Sequence, residues 1–408
     1  MSAAIAPGSQ ALPGLRGVRV LDFGRYVAAP YCAMLLADMG ADVIRVERPG
    51  GEDDRWLGLK AAHGEAFTFV GLARAKRGIT LDLRAGGAAR AVLADLVARC
   101  DVLLHNFAPA AAAALGLAYE DVRAARPDVV YLAISCHGSD GPLARRAGFD
   151  PMAQMASGAA ALTGYEDGPP VRAGVPWVDF STGLAGALGI LLALRHREAT
   201  GEGQAVDCAL LRTALSYTAP MVAEAVVAGR ERPRLGNQAA YVAPSNLYRC
   251  RDGAVYVAAV TAGAWRALAR LVGEPELAAD PELATPEQRF EQRDRIDPVI
   301  ERWTERHTVA DALRELEEAR VPAGSYQATR ELPDDRQVRA QGMLEYVDLG
   351  LEGLEQVPVS ASPLRLSRIP IAADGAPPRV GEHNDDVYRD LLGYSAETIA
   401  RLRADGVI

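Results

Sequence analysis

The sequence is poor in the residues that mark metal-binding, disulfide-bonded and nucleic-acid-binding proteins. The five cysteines and six histidines among its 408 residues are scattered, without the paired spacing that holds zinc or forms a redox pair. Lys and Arg do not cluster, and the net charge is −9 with a pI near 5.3. An acidic chain without a basic patch argues against a nucleic-acid partner. We therefore expect buried free thiols, no metal and no nucleic acid.

Long hydrophobic runs and targeting signals are also lacking. The longest apolar run, Leu184 to Leu194, is shorter than the roughly 20 residues that cross a bilayer. The opening residues, MSAAIAPGSQAL, have neither the basic start nor the apolar run of a secretory signal. We interpret residues 1–14 as a flexible tail, and we expect a cytoplasmic protein with no membrane span.

The best-known cofactor and hydrolase motifs are missing. The first strand-to-helix turn, DFGRYVAAP, has one glycine where a dinucleotide fold carries G-x-G-x-x-G. The chain also has no Walker A motif, no H-E-x-x-H and no G-x-S-x-G elbow. These absences argue against a nicotinamide enzyme, a metalloprotease and a serine hydrolase.

What the sequence does contain is an alternation of buried strands and helices. Hydrophobic residues make up 49% and charged residues 24% of the chain, as in an ordinary globular protein long enough for two domains. VRVLDF, ADVIRVE, GITLDL, DVLLHNF and DVVYLAIS are typical of strands, and helical patterns separate most of them. The pattern predicts a doubly wound, largely parallel α/β sheet, which binds ligands beyond the carboxyl ends of its strands.

The second half of the chain changes character twice. A helical block from Ser181 to about Gly229 ends in the loop-like ERPRLGNQAAYVAPS, which predicts a domain crossing. A hairpin with its turn at Arg251-Asp252-Gly253 follows, and charged helices then run from about 264 to 320. The C-terminal segment predicts two short helices separated at Gly393.

One acidic residue stands at the start of an otherwise apolar helix. In GVPWVDFSTGLAGALGILLAL, Gly174 to Leu194, Asp179 is the only ionisable group. An aspartate there is often an N-cap, worth about 1 kcal/mol. Ser181 and Thr182 can also cap a helix, which weakens the need for Asp179 in that role. Capping and chemistry both stay open on these residues alone.

Six blocks in register resemble the family III CoA-transferases (CaiB/BaiF type), the group that includes formyl-CoA and carnitine CoA-transferases. The match runs from about Leu15 to the C-terminus. The blocks are GLRGVRVLDFGRYVAAPYCAMLLADMGADVIRVERPGGEDDR, LARAKRGITLDL, DVLLHNFAPA, AGFDPMAQMASGAAALTG, WVDFSTGLAGALGILLALRHREATGEGQAVD and GEHNDDV.

The resemblance implies a particular domain plan and assembly. A large Rossmann-like domain would be built from residues 15–225 and 335–408, with a small α+β domain at 226–334. Two chains would form an interlocked homodimer in which each threads through a hole in the other.

The resemblance also assigns chemistry to Asp179, which matches the family's catalytic aspartate. This carboxylate would attack an acyl-CoA thioester and pass through a mixed anhydride and an aspartyl-CoA thioester, so that CoA is a substrate and no cofactor is permanently bound. We expect Trp177, Val178 and Phe180 to exclude water from Asp179. We expect the helix N-terminus to keep it ionised, and the N–H groups of 181–183 to receive an oxyanion.

The CoA site implied by the resemblance lies at the strand ends. The matching residues are Val27, Ala28, Arg48, Leu81, Arg84, Asn106 and Phe107. Arginine forks suit a phosphorylated ADP, and Arg25 and Lys76 are further candidates. Arg145 or Arg146 could replace a lysine that is absent at Ala147. Asp150 would line the acyl site or cap its own helix.

The chain departs from the family pattern at the phosphate and acyl sites. Ala108 and Ala114 stand where basic residues are common, which predicts weaker or rearranged phosphate binding. RLGNQAAYVAPS corresponds to a glycine-rich lid, but only Gly236 remains of those glycines. Asn237 and Gln238 are candidates for contacts with the acyl group. Family habits suggest a short dicarboxylic donor such as succinyl-CoA.

Two alternative functions stay open. α-Methylacyl-CoA racemases share the fold and need a histidine in a segment like AGHD, whereas this chain reads AGFD with Phe149 in that place. His137 is the nearby imidazole, and we interpret it as a loop residue. A CoA-binding regulator without catalysis is the other alternative, suggested by Ala108 and Ala114.

Overall fold

The computed structural model describes residues 14–61, 64–350, 352–371 and 375–408. The predicted tail over 1–14 lies outside these ranges except for Gly14. The chain divides into two compact units. The first contains the N-terminal part up to Gly158, Ala173–Ala219 and Arg336–Ile408. The second contains Ala159–Arg172 and Pro220–Asp335, so it takes in a segment, 159–172, for which the sequence offers no signal.

A six-stranded parallel sheet forms the centre of the first unit. The strands are β1 (Arg19–Phe23), β2 (Asp42–Glu47), β3 (Arg77–Thr80), β4 (Val102–His105), β5 (Val130–Ser135) and β6 (Ala205–Ala209). Their order is β3-β2-β1-β4-β5-β6, with Val20 of β1 paired to Val43 on one side and Val102 on the other. The strand order reverses between β1 and β4. A crevice for ligands is expected at that point, outside the carboxyl ends.

Helices follow most of these strands. They are α1 (Ala28–Asp38), α2 (Phe67–Ala73), α3 (Gly87–Ala98), α4 (Pro109–Leu115), α5 (Tyr119–Ala125), α6 (Asp150–Ala156), α7 (Trp177–Thr200) and α8 (Leu210–Val227). One buried cluster packs α1 and α7 against the sheet, and a second packs α3 and α5 against it. Covering both faces explains why the strands read as continuous apolar runs.

The sixth strand corrects a prediction. The helical block expected from Ser181 to about Gly229 is interrupted by β6, which pairs in parallel with β5 from Tyr131↔Ala205 to Ser135↔Ala209. An edge strand of five residues with Asp207 at its centre has neither the alternation nor the apolar run by which strands are recognised.

The second unit combines an antiparallel sheet with helices. Its elements are β7 (Ser245–Arg249), β8 (Ala254–Ala258), α9 (Ala262–Leu271), α10 (Pro286–Glu291), α11 (Arg293–Thr304), α12 (Val309–Glu318) and β9 (Ala323–Ser325). β7 and β8 form the predicted hairpin, and β9 joins β8. Trp265, Ile296 and Leu316 lie in the unit's own buried core.

The C-terminal segment belongs to the first unit. It contains α13 (Arg336–Gln341), β10 (Leu344–Val347), β11 (Val357–Ser360) and α14 (Ala396–Ala404), with a π-helical turn at Asp386–Leu391 before Gly393. Asn384 accepts a hydrogen bond from the N–H of Thr80 at 2.8 Å, and Tyr388 donates one to the carbonyl of Thr80 at 2.6 Å. The end of β3 is therefore held by residues 304 and 308 positions away in the chain.

Close packing of α7 on α1 depends on glycine. A Cβ at Gly183 would lie 2.6 Å from the carbonyl oxygen of Ala28, so only glycine permits this approach. Among the described residues α7 is also the one helix long and apolar enough to cross a membrane, but 44% of its most apolar window is buried inside the protein.

Candidate active site

Two adjoining cavities lie at the carboxyl ends of the parallel strands. The first has a volume of about 220 Å³ and is lined by Asp179, Val27, Ala28, His137 and Arg146 among others. The second, about 240 Å³, is lined by Arg48, Leu81 and Arg84 among others. Arg25 and Phe107 line both cavities. The two cavities are together called the cleft, with Asp179 in the first cavity and Arg48 and Arg84 in the second.

Asp179 is the third residue of α7, and its half-buried side chain lines the first cavity. Its carboxylate caps nothing, because no side-chain cap bond is present at this helix start and the N-cap position belongs to Pro176. Within the described part of the chain, this carboxylate takes part in no ion pair and no side-chain hydrogen bond. The capping alternative is therefore wrong.

Burial and a second carboxylate change the acidity of Asp179. Burial raises the pKa of Asp179, the charge of Asp150 raises it further, and together they bring it to about 7. We expected the helix N-terminus to keep this residue ionised, and the shift goes in the opposite direction. The reason is that another acid occupies the free N–H groups of the helix start.

Asp150 is that acid. It is 2% exposed, and one of its oxygens accepts hydrogen bonds from the backbone N–H groups of Val178 at 2.9 Å and Asp179 at 3.2 Å. Its other oxygen accepts from Gln154 at 2.5 Å. Asp150 is thus a cap, though of α7 and not of its own helix, and it is not among the residues that line the two cavities.

The expected oxyanion donors are also unavailable. Ser181, Thr182 and Gly183 lie inside α7, where the helical pattern directs each N–H to the carbonyl four residues earlier. This pattern already begins at Phe180, whose N–H bonds to the carbonyl of Pro176 at 3.2 Å. Among the flanking residues, Val178 is fully buried and Phe180 packs edge-on against Tyr31.

The loop after β1 forms one wall of the first cavity and is held by Asn106. The side-chain oxygen of Asn106 accepts from the N–H of Arg25 at 2.9 Å, and its amide nitrogen donates to the carbonyl of Arg25 at 2.7 Å. The oxygen and the nitrogen of the Asn106 side-chain amide therefore both hold the loop after β1. The guanidinium of Arg25 stacks 4.7 Å from the centre of the Phe107 ring and pairs with Glu52 at 2.8 Å.

A buried ion cluster, consisting of Arg45, Glu47, Asp54 and Arg55, supports the same loop. Asp54 pairs with Arg45 at 2.8 Å and accepts from the N–H of Tyr26 at 3.1 Å. Burial alone would raise the pKa of Glu47, but the charge of Arg45 and hydrogen bonds from Arg55 lower it below its usual value. Tyr26 needs the support, because its φ of 64° is a left-handed conformation unfavourable for a non-glycine residue.

The arginines of the second cavity already have acidic partners. Arg84 has a 67% exposed side chain and pairs with Asp82 at 2.9 Å. Arg48 pairs with Asp53 and donates to the carbonyl of Gly51 at 2.9 Å. A phosphate group would therefore compete with carboxylates for these guanidinium groups.

The structure brings most of the predicted residues into the cleft, with clear exceptions. Lys76 is buried and pairs with Asp22 at 2.8 Å, so its ammonium group is already used in the core. Ala108 lines the first cavity. The carbonyl of Ala114 accepts a hydrogen bond from Arg90 at 2.8 Å, so a guanidinium lies next to one of the two positions where a basic residue is absent. Arg146 is exposed at the first cavity.

The predicted lid residues lie in the second unit. A Cβ on Gly236 would meet the Tyr165 ring at 2.3 Å, and its φ of 61° also favours glycine. This glycine is therefore explained by packing within the unit. Gln238 donates to Asp297 at 2.9 Å, and Asn237 is exposed.

Two histidines contribute in ways that the sequence did not reveal. His105 is buried and accepts from the N–H of Phe107 at 3.1 Å, while its other nitrogen bonds the Tyr131 hydroxyl at 2.5 Å. Burial lowers the pKa of His105 to about 4, so it is neutral and holds the Phe107 loop. His137 is a loop residue, as expected, but it lines the cavity beside Asp179. In the described ranges, no group of three His, Cys, Asp or Glu could hold a metal ion.

Known proteins resemble this chain over most of its length. Residues 15–384 match the profile of CoA-transferase family III. The chain is 36% identical over 397 residues to a succinyl-CoA–D-citramalate CoA-transferase of Chloroflexus aurantiacus, covering 97% of this chain and 98% of that protein. It is 30% identical over 395 residues to the succinyl-CoA:glutarate CoA-transferase of Mus musculus, covering 97% and 90% of the two chains.

A solved structure shows the same fold. The crystal structure of a CAIB/BAIF family protein from Brucella suis has a TM-score of 0.82 and 33% sequence identity, with 92% of this chain and 99% of that chain covered. The chain therefore belongs to family III of the CoA-transferases and is an enzyme of that class.

Proposed function

We propose that this enzyme moves CoA from an acyl-CoA to a free carboxylic acid through covalent attachment at Asp179. The observation that carries the proposal is a half-buried carboxylate with no cation partner in the described structure and a pKa raised to about 7, lining a cleft that also contains four arginines. An acid that lacks stabilising partners is a stronger nucleophile than a hydrated or ion-paired one.

The proposed chemistry balances without an external base. Asp179 attacks the thioester carbonyl, and the C–S bond breaks to give an acyl-aspartyl anhydride and CoA thiolate. The thiolate then attacks the aspartyl carbonyl, which releases the donor acid as a carboxylate and leaves an aspartyl-CoA thioester. The acceptor carboxylate repeats these steps in reverse and regenerates free Asp179.

The cleft suggests how CoA lies in the site. Arg48 and Arg84 in the second cavity suit the phosphates, with Leu81 as an apolar wall. The pantetheine arm would pass Phe107, which lines both cavities, and reach Asp179 beside Val27 and Ala28. Asn106 supports this path by holding the loop, as its two hydrogen bonds to Arg25 show.

The relatives point to the substrates. Both named relatives use succinyl-CoA as donor, and their acceptors, citramalate and glutarate, are dicarboxylic acids. We infer that this enzyme uses succinyl-CoA and a short dicarboxylic acceptor. Arg25, His137 and Arg146 line the first cavity and offer cationic or hydrogen-bonding groups to a distal carboxylate.

The test is an assay of succinyl-CoA with a panel of monocarboxylic and dicarboxylic acids, followed by separation of the CoA esters. The proposal predicts that a dicarboxylic acid is converted to its CoA ester faster than any monocarboxylic acid, with succinate released in equal amount. Incorporation of solvent deuterium at the α-carbon of an acyl-CoA without any acceptor acid would instead support the racemase alternative, in which His137 serves as a base.

We also infer that two chains form the interlocked homodimer of the family, with the first unit as the large domain and the second unit, Ala159–Arg172 with Pro220–Asp335, as the small one. Support comes from α7, whose Leu184, Leu188 and Leu192 are spaced by four residues and are 42%, 60% and 63% exposed in the single chain. Such a stripe requires cover in solution. Sedimentation equilibrium should give twice the chain mass, and a monomer would contradict the inference.

A further inference from the structure

Asp179 differs from other residues at helix starts because its own backbone is fixed by a carboxylate from a neighbouring helix. Asp150, the first residue of α6, is almost fully buried, and it accepts both free N–H groups of the first turn of α7. The carbonyl of Val178, on the other side of the same residue, accepts from the Thr182 hydroxyl at 2.7 Å. The peptide that precedes Asp179 is thus held at both ends.

Asp150 is itself held in place. Gln154, one turn later in α6 and 1% exposed, donates to the second oxygen of Asp150 at 2.5 Å. The side-chain oxygen of Gln154 accepts from the N–H of Ala173 at 2.8 Å, in the segment that leads into α7. The network therefore joins both sides of the helix start to α6.

The network has an electrostatic consequence for Asp179. Helix N–H groups normally stabilise an anion near the N-terminus. Here the anion that they stabilise is Asp150, and in the described structure neither Asp150 nor Asp179 forms an ion pair. Asp179 is therefore left without hydrogen-bond donors and beside a second negative charge.

We propose that Asp150 is a positioning residue for the CoA-transfer reaction, which holds the first turn of α7 so that Asp179 faces the cleft and withholds from Asp179 the N–H groups that would make it less nucleophilic. The inference rests on the proposed role of Asp179 as the nucleophile. Asp150 touches neither substrate nor reacting atoms in this account. It acts through the two N–H groups and through its charge.

The test compares Asp150→Asn and Asp150→Ala with wild type and with Asp140→Asn, the same change at an exposed aspartate of the preceding loop. Asparagine keeps an oxygen for the N–H groups but removes the charge, whereas alanine removes both. For Asp150→Ala we expect kcat to fall by about 10- to 100-fold with a change in KM for acyl-CoA of less than about threefold.

The pH profile separates positioning of the nucleophile from a merely structural role. For Asp150→Asn the acidic limb of kcat/KM should move to lower pH by about half a unit to one unit, because a like charge beside Asp179 is gone. Asp140→Asn should leave the acidic limb of kcat/KM at its wild-type pH. The other titratable groups that line the cavity with Asp179 are Cys136, just after β5, and Arg25, Tyr26, His137 and Arg146, and none is altered by these changes.

The outcomes distinguish this inference from the proposed function. If Asp150→Asn and Asp150→Ala both keep wild-type kcat and the wild-type pH profile while a covalent adduct still forms on Asp179, the role of Asp150 is wrong and the nucleophile stands. If no adduct forms on Asp179 in the wild-type enzyme, the proposed function itself fails. If the variants lose kcat and the limb shifts as described, both are supported.

Discussion

Two groups of buried carboxylates in the first unit differ in their cations. In the buried ion cluster, Glu47 and Asp54 each contact an arginine, and the pKa of Glu47 is lowered despite its burial. By contrast, Asp179 has no cation partner in the described part of the chain, and its pKa is raised. Burial is common to both groups, so the cation partner accounts for the opposite directions in which the pKa values of Glu47 and Asp179 move.

Removing the unpaired acid should have the largest effect on activity. Asp179→Asn keeps the shape of the side chain but cannot form the anhydride, so turnover should fall by at least about a thousandfold. CoA binding, measured by calorimetry, should change little because Arg48 and Arg84, which suit the phosphates, lie in the other cavity. Normal turnover in this variant would contradict the idea that the unpaired Asp179 is reactive whereas the ion-paired carboxylates are structural.

Removing the ion-paired acid Asp54 should lower the stability of the fold. Asp54→Asn leaves Arg45 buried without its closest carboxylate and weakens the bond to Tyr26, so we expect a loss of about 3–5 kcal/mol in the free energy of unfolding. Urea denaturation measures it. Asp53→Asn, next in sequence and with a 66% exposed side chain, is the control and should change stability by less than about 1 kcal/mol.

The pH dependence of the reaction should reflect the unpaired acid. Because Asp179 must be ionised to attack and its pKa lies at about 7, kcat/KM should rise through pH 7 and fall about tenfold for each unit below it. A carboxylate paired like Glu47 would give no such limb above pH 5. A flat profile from pH 5 to 8 would contradict the raised pKa.

The smallest effect expected is a gain in stability. Asp179 has a higher pKa in the folded chain than in the unfolded one, so its ionisation destabilises the fold progressively from about pH 4 to about pH 7 and fully above that. Asp179→Asn should therefore be more stable than wild type at pH 8, by on the order of 1–2 kcal/mol after its partial exposure is allowed for. The difference should shrink toward pH 4.

Much of the fold could be predicted because it follows local patterns. β1, β2, β4 and β5 lie within two residues of the predicted strands, since each is a short segment rich in Val, Ile and Leu bounded by turns or helices. β6 could not be recognised, because its half-buried residues include a polar centre. The catalytic candidate Asp179 and the arginines of the cleft came from family resemblance, not from the patterns themselves.

The rest of the site depends on contacts between distant residues. Asp54 pairs with Arg45 and also holds the N–H of Tyr26, which is 28 positions away. Asp150 reaches the N–H of Val178 across 28 positions, and His105 bonds Tyr131 across 26. Nothing in the local sequence distinguishes these residues from a surface acid or a core imidazole. Only the packing of α6 on α7 reveals that Asp150 occupies the helix start.

During turnover, the side chain of Asp179 should become covalently attached to CoA. The most direct measurement is intact-protein mass spectrometry after mixing with succinyl-CoA, followed by peptide mapping. We predict that the mass of the protein increases by that of CoA less water. The added group should lie on the peptide that contains Asp179 and should be removed by hydroxylamine. Continued transfer of CoA with no adduct, or an adduct on another residue, would contradict it.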